Sequence, residues 1–345
     1  MKKYQVGILG ATGTVGQRFC QLLDGHPQFE ITALAASDRS AGKPYAEACA
    51  WKLPGQIPVS VRDIVVKPIE PPLDCNLVFS SLPSNVARET EEAFARADYP
   101  VISNSSSYRM DEDVPLVIPE INADHLGLIE RQRENRGWNK GFIVTNPNCA
   151  VISFAPPLAA LHRRFGVKEV ILTTFQAISG AGYPGVASLD ISDNVVPYIA
   201  GEEPKVETEA QKILGEFIDG AIVKADFPVS AQCFRVNVVD GHMVSLRVNL
   251  NKKATLEEVV AAMREFPSLD LHSAPQTFIE VTDEPSRPQT RLDRDNGNGM
   301  TITVGRVFPD NVFDYRMVAL SHNTVRGAAG CAVLNAELLA SKGML

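Results

Sequence analysis

Tyr4–Gln17 reads YQVGILGATGTVGQ, a short apolar run that breaks at once into Gly10, Gly13 and Gly16. Gln17–Leu23 then carries helical spacing, and Phe29–Ala36 (FEITALAA) is a second apolar, β-prone run. Strand, glycine turn, helix and strand within about 35 residues make a βαβ unit. The first glycine interval is one residue longer than in G-x-G-x-x-G, yet its physical work is the same. Glycines permit the tight turn, let backbone approach a pyrophosphate and let helix pack closely on strand, while the first helical amides face the phosphates. Gly10, Thr12, Gly13, Thr14, Val15 and Gly16 are therefore expected to cradle a dinucleotide. The end of the second strand decides which one. Ser37, Arg39 and Ser40 offer a guanidinium fork and two hydroxyls to a ribose 2′-phosphate, which favours NADP. Asp38, the one carboxylate there, would accept from a free 2′-hydroxyl and argues for NAD.

Outward from this unit, Leu77–Ser80, the Glu/Ala-rich Ala87–Ala97 and Val101–Ile102 continue the alternation, as in a doubly wound parallel sheet. The pattern changes after Val151. Helical spacing is read over Ser153–Phe165, near Val206–Phe217 and over Thr255–Glu265. Strands are expected at Val170–Ile178, Cys233–Val239, Met243–Leu250, Thr301–Phe308 and Val312–Leu320. Asp240-Gly241 has hairpin spacing, which predicts that the strands either side of it pair antiparallel. Arg287–Met300 reads as a polar surface loop, and Asn323–Leu339 as a small-residue helix that returns to the first unit. The fold class expected is α/β. Residues 1–147 and 323–345 are expected to form a doubly wound dinucleotide-binding domain, and residues 148–322 an α+β domain with a mixed, largely antiparallel sheet.

Composition narrows the function. The chain of 345 residues has room for two domains, with 45% hydrophobic and 21% charged residues. Lys and Arg number 33 against 41 Asp and Glu, a formal charge of −8. That balance argues against a nucleic-acid partner, which needs a basic stripe. No apolar stretch approaches the ~20 residues a membrane helix needs. Met1-Lys2-Lys3 leads straight into a strand rather than a secretory leader, and the six scattered cysteines form no C-x-x-C pair, so a cytoplasmic location is expected. His26, His125, His162, His272 and His322 show no metal spacing, and no metal is expected.

Thr145–Val151 (TNPNCAV) sets Cys149 where an Asn-Pro-Asn turn meets a helix. A thiolate at a helix start is stabilised by the macrodipole and by free amides, and the same amides can hold an acyl oxyanion. Together with the glycine loop, Asn148-Cys149, Gln176 in FQAISGAG, Arg235 followed by His242, and the terminal Asn323-x-x-Arg326-Gly-Ala-Ala-Gly330, the chain resembles the aspartate-semialdehyde dehydrogenase family, its opening being most similar to the archaeal and fungal branch. The resemblance covers nearly the whole chain with the motifs in one order. It implies a Rossmann-type NADP domain beside a catalytic and dimerisation domain. It also implies a homodimer or homotetramer, and NADPH-dependent reductive dephosphorylation of L-4-aspartyl phosphate to L-aspartate 4-semialdehyde. That step feeds lysine, threonine, methionine, isoleucine and diaminopimelate biosynthesis.

Carried over by motif, Cys149 is the nucleophile, His242 the general acid/base and Gln176 the group that orients the acyl carbon. Arg235 binds the substrate α-carboxylate, Glu202 its ammonium and Lys205 its phosphate, while Asn104 and Arg109 match a phosphate-binding stretch. Ser179, Gly180 and Asn323 join the cofactor site. The chemistry independently suits these residue types. A thiolate displaces phosphate from an acyl phosphate to give a thioester, cationic side chains neutralise the leaving group, and a neutral-pKa imidazole moves the proton. Ala150 departs from the family, which commonly has Ser or Thr after the cysteine. Rival readings are a malonyl-CoA reductase, an N-acetylglutamyl-phosphate reductase and a non-catalytic NADP sensor.

Overall fold

A computed structural model describes residues 3–345. β1 (Tyr4–Leu9), β2 (Phe29–Ala35), β3 (Leu77–Ser80), β4 (Pro100–Ser103) and β5 (Phe142–Thr145) form a sheet in the order β2-β1-β3-β4-β5. Every pairing in it is parallel. Val6, Ile8 and Leu9 are closed to solvent, as a central parallel strand covered on both faces requires. The chain winds from β1 to β2 on one side and to β3 on the other, so a crevice opens at the carboxyl ends of β1 and β3.

α1 (Thr14–Leu23) begins at Thr14 rather than at the expected Gln17, because extended Gly13 is its N-cap and Thr14-Val15-Gly16 already wind. A Cβ on Gly16 would sit 2.3 Å from the Gly10 carbonyl oxygen, so only glycine lets α1 lie this close to the turn. Gly10 itself has φ +79°, the left-handed region that favours glycine.

The second sheet has the order β10-β11-β12-β9-β6-β8-β7. Its strands are β6 (Val167–Gln176), β7 (Val195–Val196), β8 (Val229–Val236), β9 (His242–Leu250), β10 (Ile279–Val281), β11 (Ile302–Pro309) and β12 (Tyr315–Ser321). Its pairings are antiparallel except β6 with β8 and β10 with β11. β9 buries every second residue, His242, Val244, Leu246, Val248 and Leu250, on the face that packs against α3 (Val151–Phe165) and the core around it. Beside this sheet lie α4 (Glu202–Ile213) and α5 (Leu256–Arg264), the latter started by a Thr255/Glu258 capping box.

Several expectations need correction. The strands flanking Asp240-Gly241 do not form a hairpin, since β6 lies between them and pairs with both. The Asn237–Gly241 connection instead crosses the end of β6, where the Ile178 and Ser179 amides donate to the Val238 and Val239 carbonyls. The helix expected near Val206–Phe217 runs from Glu202 to Ile213, and Glu216–Ile218 is a short strand paired with Ala221–Val223. Arg287–Met300 is not a plain loop. Thr290–Asp293 winds a turn, and buried Asp293 is ion-paired to Arg287. Asn323–Leu339 is two pieces, a π-turn at Val325–Ala329 and α6 (Gly330–Ser341). The insertion sits beside the candidate nucleophile, a common place for π-turns. α6 shares one core with the first sheet, Ala332, Val333, Ala336 and Leu339 packing with Val6, Ile8 and Phe79. Among the described residues no helix is long and apolar enough to cross a membrane.

α2 (Ser84–Arg96) pins the carboxyl ends of β3 and β4. Oε1 of Glu91 accepts from Ser80 Oγ at 2.6 Å and Ser103 Oγ at 2.7 Å, while its other oxygen is buried with no partner. Burial pushes this carboxyl up to about 7. Its folded value lies above its unfolded one, so the folded state loses stability as pH rises between the two. At 1.36 kcal/mol per unit, Glu91→Gln is expected to unfold like the parent below pH 4.5 and to be more stable by about 3 kcal/mol above pH 7. Urea midpoints across that range test this, and a pH-independent difference would contradict it.

Candidate functional site

β5 ends at Thr145, and Asn146-Pro147-Asn148-Cys149 carries the chain into α3. Asn148 holds this turn. Its Oδ1 accepts from the Ala150 amide at 2.7 Å and the Val151 amide at 3.3 Å, capping α3 without a hydroxyl at residue 150. Its Nδ2 donates to Glu202 Oε1 at 2.8 Å, and its backbone N–H to Glu209 Oε2 at 2.6 Å. Cys149 then faces the first residue of β9, with Sγ 3.2 Å from His242 Nε2. Nδ1 of His242 accepts from the Ala177 amide at 3.1 Å, which leaves the ring proton of the neutral imidazole on Nε2, facing the sulfur.

The electrostatics differ from the stabilised thiolate expected at a helix start. Burial, reinforced by the Glu202 carboxylate, pushes the Cys149 thiol up to about 12, against the pull of Arg109 and Arg235. The sulfur sits at the first turn of α3, but beside the Glu202 carboxylate. His242 is driven down to about 3 by burial, then by Arg235 and His322. In the free chain burial and Glu202 thus work against the thiolate, and burial and Arg235 against the imidazolium.

Glu202 gathers the polar groups on one side. Gln176 Nε2 donates to its Oε1 at 3.1 Å, and Lys205 Nζ lies 3.5 Å from its Oε2. Arg235 Nη1 donates to the Ala177 carbonyl at 2.7 Å, and a Cβ on Gly180 would come within 3.0 Å of both Arg235 Nη1 and His242 Nε2. From the first sheet, Arg109 Nη2 donates to the Asn104 carbonyl at 2.8 Å and Nη1 to Glu209 Oε1 at 3.0 Å. Asn104 has its own amide engaged, donating to the Ser80 carbonyl and accepting from Asn146 Nδ2.

Of these residues, Gln176, Arg235 and His242 stand behind the wall of a cleft, in contact with its lining. Asn104, Arg109, Asn148, Cys149, Glu202 and Lys205 line that cleft of about 300 Å³, which also reaches Thr14, Val15, Ser179, Gly180 and Asn323. Asn323 Nδ2 donates to Ser179 Oγ at 2.8 Å, tying two of them together. Ser37 and Arg39 are exposed and Ser40 half-exposed beyond the end of β2, outside that lining. The lining also contains Pro83, Ser84, Ser105, Ser106, Thr324 and Gly327, which sequence reasoning did not single out. Glu209 and Lys212 were missed as well, because charged residues on a helix read as a solvated face.

Gly327, within the π-turn, lies against the nucleophile turn. A Cβ there would meet Cys149 Cβ at 2.9 Å and Cα at 3.2 Å, atoms that cannot swing aside. Displacing a reacting atom by an ångström costs roughly a hundredfold. Gly327→Ala is thus expected to slow iodoacetamide alkylation of Cys149 and turnover by about 10- to 100-fold, with NADPH affinity kept. Unchanged alkylation and turnover would show that the contact is relaxed elsewhere.

The sequence profile of the semialdehyde dehydrogenase NAD binding domain matches residues 5–129, and that of the semialdehyde dehydrogenase dimerisation domain matches residues 158–326. The chain is 52% identical to the aspartate-semialdehyde dehydrogenase of Archaeoglobus fulgidus over 98% of each chain. It is 51% identical to that of Aspergillus fumigatus over 99% of each. Among solved structures, that of aspartate semialdehyde dehydrogenase with NADP from Candida albicans superposes with a TM-score of 0.91 at 42% identity, covering 100% of both chains. The chain with this glycine-loop cleft and its Cys149–His242 pair belongs to the aspartate-semialdehyde dehydrogenase family.

Proposed function

We propose that this dehydrogenase converts L-4-aspartyl phosphate to L-aspartate 4-semialdehyde through a thioester on Cys149, with NADPH as reductant. The observation that supports it most directly is Sγ 3.2 Å from His242 Nε2, in a cleft that also holds Arg109, Lys205 and the start of α1. In this reading residues 1–147 and 323–345 bind the dinucleotide and residues 148–322 carry catalysis and dimerisation. The working form is a cytoplasmic homodimer or homotetramer.

The residues present fit NADP. α1 follows its Gly13 N-cap with no side chain capping its first amides, which are open to a pyrophosphate, and Gly16 lets the helix pack tightly on the turn. Gly10, Thr12, Gly13, Thr14, Val15 and Gly16 would hold it there. Ser37, Arg39 and Ser40 would hold the 2′-phosphate, and Ser179, Gly180 and Asn323 would flank the nicotinamide end. When bound, NADPH supplies the hydride that reduces the acyl group.

The chain's own residues do the rest. Cys149 attacks the acyl carbon, the C–S bond forms, the C–O bond to phosphate breaks, and the thiol proton leaves on the phosphate. Arg109, Lys205 and Asn104 would take the leaving phosphate, Arg as a fork and Lys as a point charge. Arg235 would bind the α-carboxylate, Glu202 the ammonium, and Gln176 would orient the acyl group. Nε2 is the nitrogen that faces the sulfur; for His242 to accept a proton there, its ring proton would move to Nδ1 and the Ala177 amide contact would be given up. Glu202 raises the thiol in the free chain, so neutralising it with the substrate ammonium favours the thiolate when substrate is present.

The test is reduction of NADP by aspartate semialdehyde, with phosphate and with coenzyme A as acyl acceptor. Phosphate dependence is expected, and preference for coenzyme A would overturn the substrate assignment. Within that assay, His242→Gln is expected to lower kcat by about 10²- to 10⁴-fold with KM little changed, whereas Arg235→Leu raises the semialdehyde KM. A His242→Gln variant that only raises KM would make His242 a binding residue. Arg39→Ala is expected to weaken NADPH by about 10- to 150-fold and NADH little, since only NADPH carries the 2′-phosphate. Equal loss of both would make Arg39 structural.

A further inference from the structure

α4 carries Glu202, Lys205, Glu209 and Lys212 at three- and four-residue intervals, hence along one face. The first two reach the cleft. Glu209 and Lys212 are only 1% and 2% exposed, where charged groups persist only when partnered. Lys212 Nζ donates to the carbonyls of Arg109, Asp111 and Val114, each at 2.8 Å. It thereby grips the loop that follows β4 of the first sheet. Glu209 divides its carboxylate between two donors, Arg109 Nη1 on Oε1 and the Asn148 amide on Oε2, at 3.0 and 2.6 Å. One side chain of the second unit thus links the guanidinium of that loop to the residue before the nucleophile. Arg109 Nε remains buried without a partner, and Arg109 lines the cleft with Cys149.

We infer that Glu209 is a positioning residue for phosphate, fixing the span between the Arg109 guanidinium and the Cys149 turn. It rests on the reading of Arg109 as a phosphate ligand. Neutralising Arg109 would require only one carboxylate oxygen, and the second oxygen is spent on the Asn148 amide. A guanidinium tied to that turn holds the phosphate of an acyl phosphate at a set distance from the sulfur that attacks the adjacent carbon. In the reverse direction the same tie places inorganic phosphate for attack on the thioester. Aspartate semialdehyde carries no phosphate, so its binding does not depend on this link.

Two substitutions separate position from charge. Glu209→Gln offers only one accepting atom, and its NH₂ group faces a donor whichever way it turns. Glu209→Asp keeps the charge and shortens the reach by one C–C bond, about 1.5 Å, so it cannot meet both partners. Both are assayed with NADP, aspartate semialdehyde and inorganic phosphate, alongside thermal melting and NADPH binding. The phosphate KM is expected to rise roughly tenfold or more in both variants, with the semialdehyde KM within about threefold of the parent. A parent-like phosphate KM in Glu209→Asp would make Glu209 a counter-charge only, and equal rises in both KM values would make it generally structural. Either result overturns the inference. If Glu209→Gln does not fold, Glu209→Asp decides alone. If neither variant folds and binds NADPH, Glu209 belongs to folding and the inference also fails. A parent enzyme with no saturable phosphate dependence would instead sink the reading of Arg109 itself.

Discussion

Asn148 stands between the last strand of one sheet and the first helix packed on the other, and each of its polar groups is taken. The side-chain oxygen caps α3, the side-chain amide meets Glu202, the backbone N–H meets Glu209, and the carbonyl accepts from the Ile152 amide. Buried hydrogen bonds of this kind are modest in net worth but costly to leave unmade, so the turn has one conformation open to it. That conformation puts the Cys149 sulfur against His242. It also leaves Gly327 as a residue small enough to pass behind the turn. The second anchor, Glu120 paired in full burial with Arg326, holds the start of the π-turn that brings Gly327 there.

The charges around this turn are arranged to be nearly balanced before any ligand arrives. Glu202 and Glu209 oppose Arg109, Arg235 and Lys205 in and behind one small cleft, and burial works against the charged forms of both thiol and imidazole. Balance of this sort keeps the free site stable, since an unpaired buried charge is strongly unfavourable. It also makes the site responsive. Glu202, the carboxylate that raises the thiol, is among the cleft's lining, so a cation arriving there would act on the thiol's acidity.

The sequence made local features legible and distant ones obscure. The glycine loop was readable because its turn, helix start and flanking strands lie within a few dozen residues, and only glycine satisfies φ +79° at residue 10 and the approach at residue 16. Cys149, His242, Gln176, Glu202, Lys205, Arg235 and Arg109 were legible as candidates, and they converge on one cleft or its immediate wall. What failed were pairings. β8 and β9 look like a hairpin along the chain, yet β6, some sixty residues earlier, is the strand each of them joins. Nothing local to Asp240-Gly241 distinguishes the two outcomes. Glu209 and Lys212 were invisible for a related reason, since their partners sit on a loop about a hundred residues away. The raised thiol is obscure for the same reason, since the burial and the Glu202 carboxylate that oppose the helix start come from elements distant along the chain.

The central claim is that Cys149 carries the acyl group. Its most direct test is intact-protein and peptide mass spectrometry after brief exposure to aspartyl phosphate without NADPH. The account predicts a single aspartyl adduct on the Cys149 peptide, removed by hydroxylamine and absent from Cys149→Ala. An adduct on any other residue, or one that survives in Cys149→Ala, would contradict it.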